Sequence, residues 1–432
     1  MPIRNNLIII LLLMSICSSC SKKQDKLKDT INILTETDTN LKISETIKEQ
    51  NFSVNELKTI KHYNTNSKHY GNVIIKGINK KKLKKTHTKK YSNKKTDLPF
   101  FIKPLIIEDN IYLIDTNGKL VAYNKKNKKT LWKNNLEDSL DTYNSLKGGI
   151  NFHKQNLYVA IGSNKIFKIN KETGQTIWKK TFDSLIRSIP YIHNDKIYIS
   201  ALNNSLYCLS IKDGKIIWQN SFLDSLSSQF GNSGVNSRGF IISLGNSSGE
   251  IIVIDGEKGE IIWKDNIGSI NVGVEHFNFY DIDSFPIIYD KKLYSVSSNG
   301  NMAAFEYISG VKLWERKLSS RKTPWVTKEL VFVIDNNNNL IALSRNSGKI
   351  KWYRKLNQEI HQKKEEKFFY GPVVINGQVF VSSNVGRLVA FDYNSGEISS
   401  KYKIPKNINH FPIIENDRMY MLNNKSVLYE YK

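Results

Sequence analysis

The sequence predicts an all-β protein, an eight-bladed β-propeller of four-stranded antiparallel blades whose last blade is closed by an N-terminal strand. Three observations lead to this prediction. A short phrase recurs along most of the 432 residues, each copy comes with four strand signals, and the final copy stops one strand short. Self-similarity with such a period is typical of repeat architectures, and four strands per repeat favour a propeller.

The recurring phrase is clearest between Leu340 and Trp352, where a small residue precedes Gly348 by six positions and the Trp follows it by four. Successive Trp residues of the series lie 38 to 51 residues apart by subtraction of their numbers. The first copy has Lys128 in the glycine position, and the last has Ser400 in the tryptophan position. The repeat tryptophans are Trp132, Trp178, Trp218, Trp263, Trp314 and Trp352, and the repeat glycines are Gly174, Gly214, Gly259, Gly310, Gly348 and Gly396.

Each phrase has the chemistry of a β-hairpin. The apolar run from Leu340 to Leu343 suits a strand, and the Asn-Ser-Gly sequence that follows suits a turn, because glycine adopts positive φ at no steric cost. Beyond the turn, Ile350 and Trp352 share one face while the intervening lysines share the other, as in a half-buried strand. Two further strand signals precede each phrase, which gives four strands per repeat.

The repeat tryptophans are predicted to be packing residues of the blades rather than cofactor contacts. A small residue faces each of them from the third strand, which suggests sheets stacked face to face around a ring. Lys168 takes the small-residue position of the second repeat, so the second blade is expected to pack less well. The small residues are Ala122, Cys208, Val253, Ala304, Ala342 and Ala390.

The end of the chain predicts how the ring closes. The last repeat, from His410 to Lys432, has signals for only three strands and stops before any Gly and Trp. A blade of three strands would leave an exposed sheet edge, which proteins avoid. We therefore expect the missing outer strand to come from the segment between Lys82 and Tyr91. Seven full repeats plus this shared one give eight blades.

Residues 1–20 predict a lipoprotein signal peptide that ends at a lipidated Cys20. Arg4 gives the positive start, an apolar run too short to span a membrane follows, and Ser19 is the small residue that a modified cysteine requires before it. Cys17 is the less favoured lipidation site because Ile16 precedes it. Ordinary secretory cleavage is the alternative to lipidation.

The composition predicts a tether followed by one propeller domain. Residues 21–69 are polar and lack a sustained period, and we expect a flexible tether over residues 21–75. Residues 76–432 are assigned to the propeller. Loss of the signal peptide and acylation of Cys20 would leave Cys208 without a disulfide partner, and its repeat position predicts a buried, inert thiol.

The chain is strongly basic, with a formal net charge of +24 and ten lysines between residues 76 and 95. Such a stretch suits an anionic surface, either lipid or nucleic acid. The whole chain is rich in lysine, however, and an exported, lipid-anchored protein rarely meets nucleic acid. We therefore expect no nucleic-acid partner, weak attraction to lipid headgroups, and a structural role for part of the stretch in closing the ring.

The sequence resembles a known family. The repeats look like those of quinoprotein-type propellers, and their combination with the lipobox and an eight-blade count is similar to the BamB family, the propeller lipoproteins of the outer-membrane β-barrel assembly machinery. The resemblance implies a non-catalytic, monomeric scaffold on the periplasmic face of the outer membrane. It also implies two kinds of partner, the POTRA domains of a BamA-like barrel protein and other lipoproteins of the machinery.

The resemblance further implies that two neighbouring loops between blades bind the POTRA domain. One family loop carries a Leu-Ser-Leu-Arg-Gly type of run, and here Leu226 and Ser227 match it while Gln229 or Phe230 lies near the place of the missing Arg. The other family loop carries Asp-x-Asp before a proline, which the run from Asp281 through Asp283 to Pro286 matches. Long loops on a rigid scaffold commonly carry function, although the aromatic residues of the second loop could instead plug the ring or cover a blade edge.

Two other functions share most of this sequence evidence. A quinoprotein dehydrogenase would use pyrroloquinoline quinone and calcium, but it usually has a longer chain and often a disulfide between adjacent cysteines. Asp281 and Asp283 alone fall short of the six to eight oxygens that Ca²⁺ takes. We find no nucleophile elbow, phosphate-binding glycine loop or zinc motif. We therefore expect no catalytic residue, metal or cofactor. The second alternative is a propeller scaffold of another envelope complex.

Overall fold

The structure is a computed structural model. It describes residue 44 and residues 51–52, 59–60, 69–75, 83–91, 102–114, 119–136, 148–186, 188–222, 234–268, 281–360 and 366–432. All of these belong to one compact unit, Ile43–Lys432. Within the described ranges, no helix has the length and apolar character needed to cross a membrane.

The described strands form eight sheets, and the first four complete blades follow one another along the chain. Blade 1 contains β4 (Leu105–Ile107), β5 (Asn110–Ile114), β6 (Lys119–Asn124) and β7 (Lys129–Asn135). Blade 2 contains β8 (Gly149–His153), β9 (Asn156–Ala160), β10 (Lys165–Asn170) and β11 (Thr176–Thr181). Blade 3 contains β12 (Tyr191–His193), β13 (Lys196–Ser200), β14 (Ser205–Ser210) and β15 (Ile216–Ser221). Blade 4 contains β16 (Asn236–Arg238), β17 (Ile241–Gly245), β18 (Glu250–Asp255) and β19 (Ile261–Asn266).

The remaining blades repeat this order, and the last takes its outer strand from the N-terminal part. Blade 5 contains β20 (Ile287–Tyr289), β21 (Lys292–Val296), β22 (Asn301–Glu306) and β23 (Lys312–Lys317). Blade 6 contains β24 (Trp325–Val326), β25 (Leu330–Ile334), β26 (Asn339–Ser344) and β27 (Ile350–Lys355), followed by a short helix α1 (Leu356–Glu359). Blade 7 contains β28 (Phe369–Ile375), β29 (Gln378–Ser383), β30 (Arg387–Asp392) and β31 (Ile398–Lys403). Blade 8 contains β3 (Lys85–Lys90), β32 (Ile413–Glu415), β33 (Arg418–Leu422) and β34 (Val427–Tyr431), and the short strands β1 (Thr59–Ile60) and β2 (Asn72–Val73) add to blade 7.

The blades are arranged with their first strands at the axis of the ring. First strands of neighbouring blades approach one another, as β8 does β12 and β16 does β20, whereas the tryptophan-bearing fourth strands lie at the far edge of each sheet. Because the strands of a blade alternate in direction, the turns after strands one and three lie on one face of the ring, the hairpin face. The turns after strand two and the links between blades lie on the opposite face, the connector face.

The small residues and the tryptophans of the repeat meet as cross-strand pairs. Ala342 pairs with Trp352, and the equivalent small residue pairs with the Trp in the other blades that have both. A register shift follows the small residue each time. The local bend aims the indole out of its own sheet, toward the next blade.

Each repeat tryptophan lies against the repeat glycine of the following blade. A Cβ added to Gly174 would lie 2.5 Å from the ring of Trp132, and one added to Gly396 would lie 2.5 Å from the ring of Trp352. Gly174 also has a φ of 75°, which disfavours any other residue. The glycine of one repeat is thus required by the tryptophan of the repeat before it.

The indole N–H bonds to the next blade in five of the six cases. Trp352 Nε1, for example, donates to the carbonyl of Tyr393 at 3.1 Å, and the others donate to equivalent carbonyls three positions before the glycine. Blade 2 is the exception: Lys168 Nζ donates to the equivalent carbonyl, Ile211 O, at 2.9 Å. Within the described residues Trp178 Nε1 then has no partner. Lys168 therefore replaces the missing indole bond instead of simply loosening the blade.

The predicted ring closure is confirmed. The N-terminal strand β3 pairs antiparallel with the C-terminal strand β34, inside the predicted segment. Apolar side chains of blades 1 and 8, among them Ile111 and Leu428, share one buried cluster. His87 of β3 also bonds to the hydroxyl of Tyr123 in blade 1 at 2.9 Å. The two ends of the chain are thus joined within one blade.

Residues 69–75, which we call the strap, precede the predicted start of the propeller at residue 76 and bond to two of its blades. Gly71 N donates to Val326 O at 2.9 Å, and Val326 N donates back to His69 O at 3.0 Å. Further along, Asn376 N donates to Val73 O at 2.9 Å. The strap thus lies across the hairpin face of blades 6 and 7.

Two earlier described positions also contact the propeller. Ser44 N donates to Ile350 O on the outer strand of blade 6 at 2.8 Å. The ring of Phe52 lies 4.7 Å from Lys351 Nζ. Lys351 is only 1% exposed, whereas its counterpart Ile217 in blade 3 is 48% exposed. The outer edge of blade 6 is therefore covered by the chain's own N-terminal part.

Candidate partner-binding site

In the sequence, the two predicted contact loops fall between β15 and β16 and between β19 and β20, that is, after blades 3 and 4. Leu226, Ser227, Gln229 and Phe230 of the first link lie outside the described residues. The described part of the second link begins at Asp281 and runs directly into β20.

Main-chain groups of residues 281–286 bond to blades 4 and 5 and to a side chain in the link before blade 6. Ile282 N donates to Asn246 O of blade 4 at 3.0 Å, and Ser298 N of blade 5 donates to Asp281 O at 2.8 Å. Phe285 N donates to Thr323 Oγ1, just before blade 6, at 3.2 Å. The Asp-x-Asp run is therefore fixed in place.

Packing fixes the same run from the side. Ile282 is 1% exposed and lies against Gly245, where an added Cβ would meet the isoleucine side chain. A Cβ at Gly234 would likewise meet the ring of Phe285. Ser284, fully buried, donates to Val296 O at 3.0 Å. Glycines on the neighbouring elements thus leave the room that this link occupies.

The two predicted acidic residues have different environments. Asp281 is buried, with 2% of its surface exposed, while Asp283 is half-buried. Asp281 therefore lies below the surface that a partner would meet, and its main-chain bond to Ser298 ties the link to blade 5. Asp283 is the acidic group of this pair that is nearer the solvent.

The turns beneath the links form a bonded polar layer. Asn204 Nδ2 of blade 3 donates to Ser247 Oγ of blade 4 at 2.7 Å, and Asn336 Nδ2 of blade 6 donates to Ser298 O of blade 5 at 2.6 Å. These bonds join adjacent blades at the base of the links. The connector face around blades 3 to 6 is therefore a stiff platform.

This layer was missed by reasoning from the sequence, although a signal for it is present. Short runs of Asn and Ser follow the second strand of several repeats, as at Asn204, Asn246, Ser298 and Asn336. Such runs normally indicate only a turn. Only the packing of neighbouring blades brings them together.

Among the described residues, no group of three or more His, Cys, Asp or Glu could hold a metal ion. Cys208 is a buried free thiol, and burial raises its pKa to about 12, so little thiolate forms at neutral pH. Its surroundings are those of a packing residue, next to Trp218 of its own blade.

The fold and the connector platform define a class, the eight-bladed propellers in which a tryptophan of one blade packs on a glycine of the next, here in blades 1 to 6. Within that class the sequence profile described as outer membrane protein assembly factor BamB matches residues 116–354, more than half of the chain. The chain belongs to the BamB family.

Curated relatives match over a short region. Outer membrane protein assembly factor BamB of Yersinia pestis is 30% identical over 74 residues, 17% of this chain and 19% of that protein. The protein of the same name from Moranella endobia (strain PCIT) is 26% identical over 74 residues, with the same shares. Each match thus spans about a fifth of the length of the relative.

Solved structures share the fold. The crystal structure of BamB from Moraxella catarrhalis superposes with a TM-score of 0.69 at 20% identity, covering 81% of this chain and 99% of that one. A quinohemoprotein alcohol dehydrogenase from Pseudomonas putida HK5 superposes with a TM-score of 0.64 at 12% identity, covering 84% and 78%. At these identities the superpositions show the propeller fold and nothing about chemistry.

Proposed function

We propose that this protein is a non-catalytic scaffold lipoprotein of the outer-membrane protein assembly complex. It binds the POTRA domains of a BamA-like barrel subunit through the links after blades 3 and 4, and so aids the insertion of β-barrel proteins. A lipid on Cys20 holds it at the periplasmic face of the outer membrane, beside other lipoproteins of the machinery.

The observation that carries this proposal is membership of the BamB family together with the fixed Asp-x-Asp link. A binding surface keeps more of its contact energy when its loops are already ordered, because less entropy is lost on association. Residues 281–286 meet that condition through their bonds to Asn246, Ser298 and Thr323.

The two acidic residues have separate roles in the proposal. Asp283 contacts the partner, and its charge guides a basic surface of a POTRA domain onto the link. Asp281 is a positioning residue, since it is buried and its carbonyl accepts the bond from Ser298. Leu226 and Phe230 supply apolar contact from the adjacent link, and Ser227 and Gln229 supply polar contact.

The test is a detergent pull-down of the native, full-length protein, with co-purifying proteins identified by mass spectrometry. A stoichiometric outer-membrane barrel protein bearing POTRA repeats is the expected result. Recovery with a bound quinone or an electron-transfer partner, and without such a barrel, would instead favour the dehydrogenase alternative.

A charge reversal then tests the site itself. Asp283→Arg is expected to reduce recovery of the barrel protein while the thermal midpoint stays nearly unchanged. Asp183→Arg is the matched control, because Asp183 is an exposed acid in the link between blades 2 and 3 on the same face. Equal loss of the partner in both variants would place the contact elsewhere.

A further inference from the structure

The hairpin face carries a cavity at the axis of the ring, on the side opposite the connector platform. Its volume is about 510 Å³, within the range of typical ligand sites. First strands of blades 3, 4 and 5 line it, and the strap contributes one wall. The lining residues are Tyr70, Tyr191, His193, Asn236, Ser237, Arg238, Gly239, Ile288, Tyr289 and Asp290.

The first strands present free sheet edges to this cavity. β12, β16 and β20 each stand at the end of their sheet, so on the axis side their backbone groups have no strand partner within the sheet. An edge of this kind accepts an extended peptide through main-chain hydrogen bonds.

The equivalent edges of blades 6 and 7 already hold such a peptide. The strap pairs in parallel with both, through Tyr70 opposite Val326 and Val73 opposite Ile375. The strap thus demonstrates the binding mode within the same ring, and the cavity lies beside three of the edges that the strap does not pair with.

Three tyrosines contribute to the walls of the cavity. The rings of Tyr70 and Tyr289 lie 5.3 Å apart at 54°, and the guanidinium of Arg345 covers Tyr289 at 5.2 Å. Tyr191 forms a hydrogen bond with Ser237 through its hydroxyl at 2.7 Å. These fixed rings suit an aromatic side chain, which packs against tilted neighbours.

The charged groups at the rim of the cavity differ in whether they form an ion pair. Asp290 is engaged by Arg345 at 3.1 Å. Arg238 is exposed and, among the residues that the structure describes, forms no ion pair. His193 Nε2 is buried and likewise has no hydrogen-bond partner in the described part of the chain. An uncompensated guanidinium and an unsatisfied imidazole favour a ligand with a carboxylate.

We propose that this cavity binds an extended segment of a partner polypeptide that carries an aromatic and an acidic side chain. The backbone of the segment adds to a first-strand edge of blades 3 to 5, its aromatic side chain enters between the tyrosines, and its carboxylate pairs with Arg238. This inference is independent of the proposed function, since it concerns the other face of the ring.

Calorimetry with the full chain tests it, using the acetylated and amidated pentapeptide Val-Tyr-Val-Asp-Val as the probe. In an extended peptide its Tyr and Asp lie on one face, two positions apart. Saturable binding is expected. Replacing the peptide Asp by Asn, or making Arg238→Gln in the protein, should each weaken binding about tenfold, as for a hydrogen bond to a charged group.

Combining the two changes tests whether Arg238 contacts the peptide carboxylate. If Arg238 meets the peptide carboxylate, the double change weakens binding no further than either single change. Lys258→Gln removes an exposed charge from the same blade and should leave the affinity unchanged. Additive losses, an equal loss with Lys258→Gln, or no saturable binding would each overturn the proposal.

One further variant tests whether a segment of the chain itself, rather than a partner, fills the cavity. Residues 61–68 directly precede the strap in the sequence. If the native chain does not bind the peptide but a chain with a Gly-Ser linker at 61–68 does, the cavity serves the chain's own segment. That result would overturn the proposed partner.

Discussion

At the scale of single residues, one contact between blades explains why the repeat carries both a tryptophan and a glycine. The tryptophan of a blade packs on the glycine of the next, where both the positive φ and the neighbouring ring exclude a side chain. Because the two residues belong to different repeats, neither can change alone. The repeat glycines are therefore interface residues between blades as well as turn residues.

Gly396→Ala tests this double requirement. Its φ is 71° and its Cβ would lie 2.5 Å from Trp352. Gly239→Ala is the control, since Gly239 has a φ of 63° with nothing within 4 Å of the added Cβ. In both variants, strain at the positive φ should lower the free energy of unfolding by about 1–2 kcal/mol. Gly396→Ala should lower it by about 1–3 kcal/mol more through overpacking. Chemical denaturation measures both, and equal losses would show that the ring exerts no constraint.

Lys168 is the second informative residue, because its ammonium group donates to the carbonyl that accepts from an indole N–H in the equivalent position of other blades. Burial lowers the pKa of this lysine, which is a cost that the bond to Ile211 O offsets. Lys168→Ala should free that carbonyl for Trp178 Nε1 and change the free energy of unfolding by less than about 1 kcal/mol. Slower hydrogen exchange of the Trp178 indole N–H would report the new bond.

The reverse exchange in blade 6 is the control for that prediction. Ala342→Lys should be destabilising by about 3 kcal/mol or more, because Trp352 already occupies Tyr393 O and a buried ammonium would have no acceptor. A mild effect of Ala342→Lys would mean that blades accept lysine here regardless of the indole.

At the scale of elements, the strap is ordered by its contacts with the blades. It lies in the segment predicted to be a tether, yet Asn72 and Val73 are buried and Trp325 Nε1 donates to Gly71 O at 2.9 Å. Asn376 adds a clamp, with Oδ1 accepting from Ile75 N at 3.0 Å and Nδ2 donating to Ile75 O at 2.7 Å. The order of the strap comes from the blades that it crosses.

Asn376→Gly should therefore release the strap and leave the ring intact. Glycine keeps the positive φ of 46° at this turn and removes both side-chain bonds to Ile75. Asn194→Gly is the matched control in the corresponding turn of blade 3, where φ is 47°. Hydrogen exchange of residues 69–75 should accelerate only in Asn376→Gly, and equal protection in both variants would mean that the clamp contributes nothing.

At the scale of the whole molecule, closure of the ring buries groups that titrate. His410, 4% exposed, precedes the first strand of blade 8, and desolvation lowers its pKa to about 4. His69 of the strap has its pKa lowered to about 3, by desolvation and then by the nearby Lys103. Both histidines are therefore neutral in the folded protein at every pH above these values.

This predicts a loss of stability in acid. The unfolded chain binds a proton at each histidine below about pH 6.5, so the free energy of unfolding falls as the pH drops from there through the folded pKa. For His410 the full loss between pH 6.5 and 4 is about 3 kcal/mol. His410→Asn should lose less stability than the native chain over this range in denaturant titrations. Parallel curves for the two proteins would contradict the assignment.

Much of the architecture is determined by local sequence. The number of blades, the order of their strands and the strand that closes the ring follow from spacing and period-two alternation, because each blade is a meander of neighbouring strands. The repeat tryptophans and glycines can be recognised in the sequence for the same reason. Of the candidate site, the sequence located the two links and the Asp-x-Asp run.

Only the tertiary structure decided which groups of those segments lie at the surface. Asp281 is buried and Asp283 half-buried, and their link is bonded to turns of blades 4 and 5. The same holds for the strap, which bonds to residues about 250 to 300 positions away. No period of the sequence records such contacts, since they depend on how separate elements pack.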